Sequence, residues 1–340
     1  MVEHLTQKLI NAGADVVDEM LEGILAAHGD KLWRPDGSPR AVIARHSPRP
    51  GKVALVIGGG SGHEPTFLGF VGRGLADAAA VGNVFASPPP QPAVDAAMAA
   101  NGGAGVLFMY GNYSGDVMNF DMASELLAMD SIEARTILTT DDIASAPPDE
   151  RAKRRGVAGN MFIFKATGAA ADRMMPLDEV VRVARHANDR TYTLGVALSP
   201  CSLPQTRRPN FDIPAGEMEI GMGIHGEPGM RRGALRPADE VVDEIVDAIF
   251  AEMRPARGDR VAVLVNSLGS TPLMELYIMH RRVARRLAEV GVVPHVTFVG
   301  PYCTSLEMAG ASITMMHLDD ELQTLIDHPC DCAMFSSGLR

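Results

Sequence analysis

The sequence predicts an α/β protein, organised as two α/β domains with mixed, largely parallel sheets. Three observations predict it. Continuous apolar, β-branched runs recur along the chain, as buried parallel strands require. Several of these runs empty into glycine-rich turns, and helical patterns follow the turns. The clearest case is Lys52 to Phe67, KVALVIGGGSGHEPTF. Val53 to Ile57 reads as a buried strand that breaks into Gly58, Gly59, Gly60, Ser61 and Gly62, then His63, Glu64 and Pro65. A strand that runs into clustered glycines and a helix start makes a backbone-lined pocket at the strand's carboxyl end. The spacing is neither the dinucleotide pattern nor the P-loop, which needs a lysine followed by serine or threonine. A histidine stands where those motifs have none.

The remaining elements follow in order. Leu5 to Leu25 carries apolar residues at helical spacing (Leu9, Val16, Met20, Ile24), ending near Gly29. Ala41 to Ala44 is a short strand pattern, and Ala76 to Ala80 another. Pro92 to Ala100 reads as a helix behind the rigid Ser87-Pro88-Pro89-Pro90 turn. Gly105 to Tyr110 is a second buried strand, emptying into Gly111-Asn112-Tyr113-Ser114-Gly115-Asp116, with a helix over Asn119 to Met129. Ala134 to Leu138 is a third strand. Arg151 to Arg155 is a basic run in a loop, and Asn160 to Ala171 and Leu177 to Asn188 are helical.

A boundary falls near Asn188, dividing the chain into domains 1–188 and 189–340. The second half opens with a strand at Thr191 to Leu198. An alternating stretch, Glu217 to Ile224, leads into His225-Gly226-Glu227-Pro228-Gly229. Pro237 to Met253 is an amphipathic helix. Asp259 to Gly269 is a strand entering a glycine turn, and Ser270-Thr271-Pro272 opens a helix over Leu273 to Val290. Strands at Val296 to Val299 and Gly310 to Met316 and a helix at Asp319 to Asp327 complete the chain. The stretch Gly258 to Pro272 echoes Gly51 to Pro65, which suggests two halves of related design.

The chain has 340 residues, with 46% hydrophobic and 21% charged, a balance that allows a sizeable core. A net charge of −11 argues against nucleic acid or an anionic membrane as the main partner. Cys201, Cys303, Cys330 and Cys332 are too few for a disulfide framework. Cys330-Asp331-Cys332 lacks the matching pair of a zinc site, so reduced thiols and no bound metal are expected. The first residues lack the order of a signal peptide, and no apolar run is long enough to span a bilayer. A cytoplasmic location is the expectation.

Three polar groups follow strand ends: His63, Asp116 and His225. In open α/β sheets ligands bind at that location. Each also has an ordinary structural alternative. A histidine after a strand can be a satisfied loop residue, Asp116 can cap a helix, and His225 can be a turn residue.

The segments GGGSGHEP, GNYSGDVMNF and GIHGEPG, in this order, resemble the substrate-binding (K) subunit of dihydroxyacetone kinases. The resemblance continues through RRGVAGNMFIFKATGAAA, LVNSLGSTPLMELY and PYCTSLEMAGASIT and covers nearly the whole chain. It implies a subunit that binds a short ketose covalently, with His225 adding through its imidazole to the ketone to give a hemiaminal. That chemistry requires a lone pair on Nε2, hence a proton on Nδ1 held by some acceptor; Glu219 is the expected acceptor. The resemblance makes His63 an acid/base residue beside the sugar, with Gly60, Ser61 and Gly62 lining the pocket. It makes Asp116 the base that takes the proton from the hydroxyl being phosphorylated. Where the family commonly has a lysine before Asn-Tyr-Ser-Gly-Asp, this chain has Gly111. A cationic contact is thereby lost and space gained, which points to a four-carbon ketose such as erythrulose as an alternative substrate.

No phosphate-binding motif occurs in the chain. The resemblance implies that ADP or ATP with magnesium sits on a separate nucleotide-binding L subunit, encoded apart from this chain. Recharging by a phosphotransferase-system protein is one possibility and turnover of ATP another. It also implies a homodimer. A second class of function is a ketose-sensing coactivator, which needs His225 but can dispense with Asp116. A dinucleotide enzyme fails on glycine spacing.

Overall fold

The computed structural model describes residues 5–339. The first half runs α1 (Val16–Ala27), β1 (Leu32–Trp33), β2 (Ala41–Ala44), β3 (Ala54–Ser61), β4 (Gly72–Arg73), β5 (Ala78–Val84), α2 (Pro90–Ala100), β6 (Val106–Gly111), α3 (Ser114–Met129), β7 (Ala134–Thr139), α4 (Asn160–Asp172) and α5 (Leu177–Asp189). The second half runs β8 (Thr191–Ser199), β9 (Glu217–Ile220), β10 (Arg231–Ala234), α6 (Ala238–Met253), β11 (Arg260–Ser267), α7 (Leu273–Val290), β12 (Val293–Gly300), β13 (Ala309–Leu318), α8 (Asp320–Ile326), β14 (Cys330–Cys332) and β15 (Ser336–Ser337).

Twelve of the strands form two six-stranded mixed sheets, and the other three form a small sheet of order β15-β14-β4. The first has order β1-β2-β5-β3-β6-β7. Its centre is parallel, β5 to β3 to β6 to β7, and β1 and β2 add an antiparallel edge. The second has order β10-β9-β8-β13-β11-β12. There only β11 and β12 run parallel, and hairpin-like pairings dominate. The parallel character read from the apolar runs is therefore concentrated in the first sheet.

Alternation decides the layers. In β3, Ala54 and Val56 face the apolar sides of α2 and α3, through Ala97, Phe120 and Leu127. Leu55 and Ile57 face the opposite way, toward α1, α4 and α5. In the second sheet Val261, Val263 and Val265 pack on α6 and α7. Ala262 and Leu264 on the other face join the same core as Leu55 and Ile57. Helix α4 lies in that shared core and is buried from Asn160 to Ala171, as expected of a helix apolar on every side.

Two expectations shift. The first helix begins at Val16, not Leu5, and residues 5–15 form turns and extended backbone. More importantly, no α-helix follows the glycines of β3. Leu68–Phe70 is a single 3-10 turn. The carbonyls of Gly62, His63 and Glu64 accept from Leu306 and Thr304 of the second half, so the helical bonds that close there are confined to one short turn over residues 65–71. The echo with Gly258 to Pro272 therefore ends at the proline, because Pro272 does open a helix, α7.

The last segment crosses back: β14 pairs with β4 through Asp331 opposite Arg73 and Cys332 opposite Gly72. Among the described residues no helix is long and apolar enough to cross a membrane.

Gly168 shows how tightly α4 is wedged. A Cβ there would lie 2.5 Å from the backbone of Leu75. Alanine normally favours a helix over glycine by about 1 kcal/mol. Here Gly168→Ala is expected to reverse that sign and destabilise by about 1–3 kcal/mol through overpacking, read from urea denaturation midpoints at constant m.

Candidate active site

The parallel strands β3 and β6 end side by side, and their carboxyl ends open onto a pocket of about 210 Å³. Gly60 contributes its floor, Tyr113, Gly115 and Asp116 one wall, and His225 and Glu227 the other. Gly60 carries no side chain because a Cβ would lie 2.7 Å from the backbone nitrogen of Ala86. A second cavity, of about 220 Å³, lies against the second sheet between Val241, Ile278 and Met279 and contains no histidine or aspartate.

His63 reaches this place through a seam. After β3 the chain turns at Gly62, whose φ of +99° is left-handed and whose missing Cβ would meet the Phe85 ring at 2.9 Å. The next residues bond to the loop between β12 and β13. The Leu306 amide donates to the Gly62 carbonyl (2.8 Å), and the Thr304 amide donates to the His63 carbonyl (3.2 Å). The Thr66 hydroxyl donates to the Tyr302 carbonyl (2.8 Å). The His63 ring is buried, 1% exposed, and stacks on Phe85 with centroids 4.9 Å apart. Its Nδ1 lies 2.7 Å from the Thr304 carbonyl oxygen. A carbonyl only accepts, so Nδ1 carries the proton and Nε2 presents a lone pair. Burial, with the His225 ring adding to it, pushes the His63 pKa down to about 3. The imidazole is neutral throughout the physiological range.

That lone pair faces His225: the two Nε2 atoms are 3.0 Å apart with the rings nearly perpendicular, so the hydrogen between them is carried by His225 Nε2 and accepted by His63. His225 Nδ1 lies 2.9 Å from Glu227 Oε1, and its backbone amide donates to Oε2 of the same carboxylate at 2.9 Å. Glu227 is therefore the acceptor that holds the His225 Nδ1 proton, and the expectation of Glu219 is corrected. Glu219 points out of β9 toward Arg232 at 2.7 Å and the Gly229 amide at 2.6 Å. Burial raises the Glu227 pKa, but the His225 hydrogen bond and charge, with Arg155 behind them, outweigh it and hold the carboxyl down at about 2.

Arg155, from the basic run, is aimed by Asp142 (2.9 Å from Nε) and by the Gly221 carbonyl (3.0 Å) and reaches to 4.0 Å from Glu227. The run is thus not a solvated loop. Its neighbour Arg154 is fully buried in a two-pronged pair with Glu252.

Asp116 sits in the first turn of α3, which starts at Ser114, five residues ahead of the expected Asn119. Its carboxyl is 8% exposed, and its Oδ1 is buried without a hydrogen-bond partner. Burial pushes its pKa up to about 6, against the opposing pull of the Ser87 hydroxyl and of His225. An unpartnered buried carboxylate oxygen facing a pocket is a proton acceptor waiting for a donor.

Of the glycine-loop residues, Gly60 lines the pocket. Ser61 turns away, its hydroxyl donating to the Gly82 carbonyl (2.8 Å), and Ser61 and Gly62 border a different cavity near α1. Gly111 does not enlarge the pocket. A Cβ there would lie 2.8 Å from the Tyr113 ring, which covers the position, donates to the Gly156 carbonyl (3.2 Å) and stands edge-on to His225 (4.7 Å). The expected gain of space is corrected, because tyrosine fills it. Tyr113, Phe85, Arg155 and Glu227 were all missed as site residues. Only Glu227 had a visible signal, a carboxylate two positions beyond the histidine.

A two-layered α/β scaffold that aims a histidine pair and an aspartate into one sheet-end pocket defines a class of small-substrate proteins. Residues 22–334 match the Dak1 domain family model, and the chain belongs to that family. It is 48% identical over 329 residues to a protein of Listeria innocua named as the dihydroxyacetone-binding subunit of a phosphotransferase-system-dependent dihydroxyacetone kinase, covering 97% of this chain and 99% of that one. It is 43% identical to an L-erythrulose kinase of Pectobacterium atrosepticum, covering 97% of this chain and 56% of that protein. Among solved structures, the dihydroxyacetone kinase of C. freundii superposes with a TM-score of 0.86 at 32% identity, over 98% of this chain and 61% of that one. The dihydroxyacetone kinase operon co-activator DhaQ superposes at 0.86 and 31%, over 94% and 98%. The chain thus spans little more than half of those longer kinases and nearly all of the separate subunits.

The two carboxyls of the pocket should titrate far apart. In carboxyl-selective carbon NMR of the ligand-free protein, Asp116 is expected to titrate near pH 6, while Glu227 stays ionised down to about pH 2.

Proposed function

We propose that this chain is the ketose-binding subunit of a dihydroxyacetone-type kinase, an enzyme that transfers phosphate to an alcohol. It holds a short ketose through a bond to His225 and presents the sugar's terminal hydroxyl to Asp116. One observation carries the reading. His225 has its Nδ1 locked by an ionised carboxylate and its Nε2 free of protein donors, beside a neutral histidine and an unpaired aspartate in the same pocket.

The chemistry follows from these atoms. The ketone enters beside the paired imidazoles. His225 Nε2 passes the shared proton to His63 Nε2, its freed lone pair bonds to the carbonyl carbon, and the π pair moves to oxygen, which takes that proton from His63. The imidazole now carries positive charge, with Nδ1–H directed at the Glu227 carboxylate, so the adduct is a buried, hydrogen-bonded ion pair. Expulsion of the carbinol oxygen's proton and cleavage of the same C–N bond reverse the step. Glycerol and other polyols have no carbonyl and cannot be held this way. Anchoring also fixes the terminal hydroxyl for in-line attack. Asp116 Oδ1 accepts the hydroxyl proton as its oxygen bonds to phosphorus.

The phosphoryl group comes from ATP held with magnesium on a separate L subunit, and the ADP left there is recharged or exchanged. Homologues named for phosphotransferase-system dependence support recharging by such a protein. Function in the cytoplasm and as a homodimer belongs to the same reading.

Both three- and four-carbon ketoses remain substrate classes. The erythrulose kinase relative supports the larger sugar. Tyr113 removes the argument from space at Gly111, and loss of the cation there is what remains of it. An at least tenfold kinetic preference for dihydroxyacetone over erythrulose would exclude the four-carbon assignment. A sensor reading has a structural relative in the co-activator. The buried, unpaired Asp116 favours the kinase, because ligand sensing uses no proton acceptor.

Native intact-mass measurement with dihydroxyacetone tests the anchor: the wild type is expected to gain the mass of the sugar, and His225→Ala to gain none. Equal adducts in both would overturn the reading. Glu227→Gln is expected to lower adduct formation about tenfold, by removing the charge that balances the imidazolium. Asp116→Asn should keep the adduct and lose about 10²–10⁴-fold in phosphoryl transfer. The Asp116 base is active as carboxylate, so transfer should rise with pH through about 6; a flat profile from pH 5 to 7 would exclude Asp116 as the base.

A further inference from the structure

Helix α3 is apolar on two opposite faces. Phe120, Ala123 and Leu127 are buried against the first sheet. On the other face Met118, Met122, Leu126 and Met129 are 71%, 53%, 38% and 82% exposed. Their spacing of four, four and three residues places all four in one stripe. Gly115, one turn before Met118, lies on the same face and borders the pocket. The stripe therefore starts at the pocket mouth and runs outward from it. Every charged side chain on this helix is acidic, Asp116, Asp121 and Glu125, and Asp130 follows at its end. Asp121 and Asp130 are exposed on either side of the stripe, and Glu125, three residues past Met122 and four before Met129, is exposed within it.

We propose that this methionine face is the docking surface for the nucleotide-bearing L subunit, which would meet it with an apolar centre and a Lys/Arg rim. The inference rests on the kinase reading above and names where the partner lands. Phosphoryl transfer requires the donor phosphate within bonding distance of a hydroxyl beside Asp116, with water excluded. A body that delivers phosphate there must cover the pocket mouth, and Gly115 makes the mouth continuous with the stripe. Exposed methionine is costly on a monomer and suits a surface that is repeatedly covered and released. The acidic flank selects the occupant by charge. A second copy of this chain, paired through the same face, would oppose acid to acid. An anionic membrane would be repelled likewise.

The test uses the full chain and the L subunit of the Listeria innocua kinase loaded with ATP and magnesium, in a coupled transfer assay with dihydroxyacetone. The Met118→Glu/Met122→Glu protein is expected to form the sugar adduct as the wild type does, yet to need at least tenfold more L subunit for half-maximal transfer. Asp121→Lys/Glu125→Lys should weaken the same apparent affinity and flatten its salt dependence. Leu273→Glu/Tyr277→Glu, on an exposed apolar face of α7, should change neither. Wild-type protein that forms no adduct, or transfers nothing, removes the kinase reading itself. Wild-type transfer with unchanged half-saturation in both α3 variants overturns the docking surface alone. A fall in sedimentation mass of Met118→Glu/Met122→Glu without L subunit would assign the face to a second copy instead.

Discussion

The site depends on the seam between residues 62–66 and the loop before β13. Without it His63 would sit at the end of an ordinary strand, and the chain after the glycines would be free to coil into a helix. Backbone groups have to be satisfied somewhere. In this protein the Gly62 and His63 carbonyls accept amides from Leu306 and Thr304, and the His63 ring spends its one proton on the Thr304 carbonyl. The same bonds therefore hold the loop, choose the tautomer and aim the lone pair at His225. Chemistry and cohesion are served by one set of contacts, so neither half of the chain contains the site alone.

Electrostatics then divides labour among three groups, His63, Glu227 and Asp116. Burial keeps His63 neutral. Glu227 is buried too, but two donors from His225 and the nearby Arg155 keep it ionised. Asp116 has burial without comparable compensation, so its carboxyl is drawn toward neutral pH. The pattern is one in which environment, not residue type, separates a carboxyl held ionised from one drawn toward neutral pH.

Much of this was legible in the residue string, because the signals were local. The runs at β3, β6 and β11 announce buried strands, and the segments around His63, Asp116 and His225 identify the three groups that converge. What escaped was non-local. Nothing near Glu64 says that its backbone will bond to residues 302–306 rather than to itself, so a helix was expected there. Glu219 and Glu227 are equally plausible carboxylates on paper. Only the return of the chain after His225, and the capture of Glu219 by Arg232, decides between them. Tyr113 closing over Gly111 is of the same kind: an empty position in sequence is empty in space only if no neighbour moves in. The basic run at 151–155 read only as a loop, yet within it Arg154 and Arg155 are interior struts whose partners lie up to 98 residues away.

The return of β14 to β4 has a mechanical consequence. The chain's final stretch is bound to the first half by the pairing at Arg73 and Gly72, by the Lys31–Asp331 ion pair at 2.5 Å, and by Lys165 donating to the His328 carbonyl at 2.8 Å. Together with the 62–66 seam, this ties the two halves at separate places, so they can part only if both sets of bonds break.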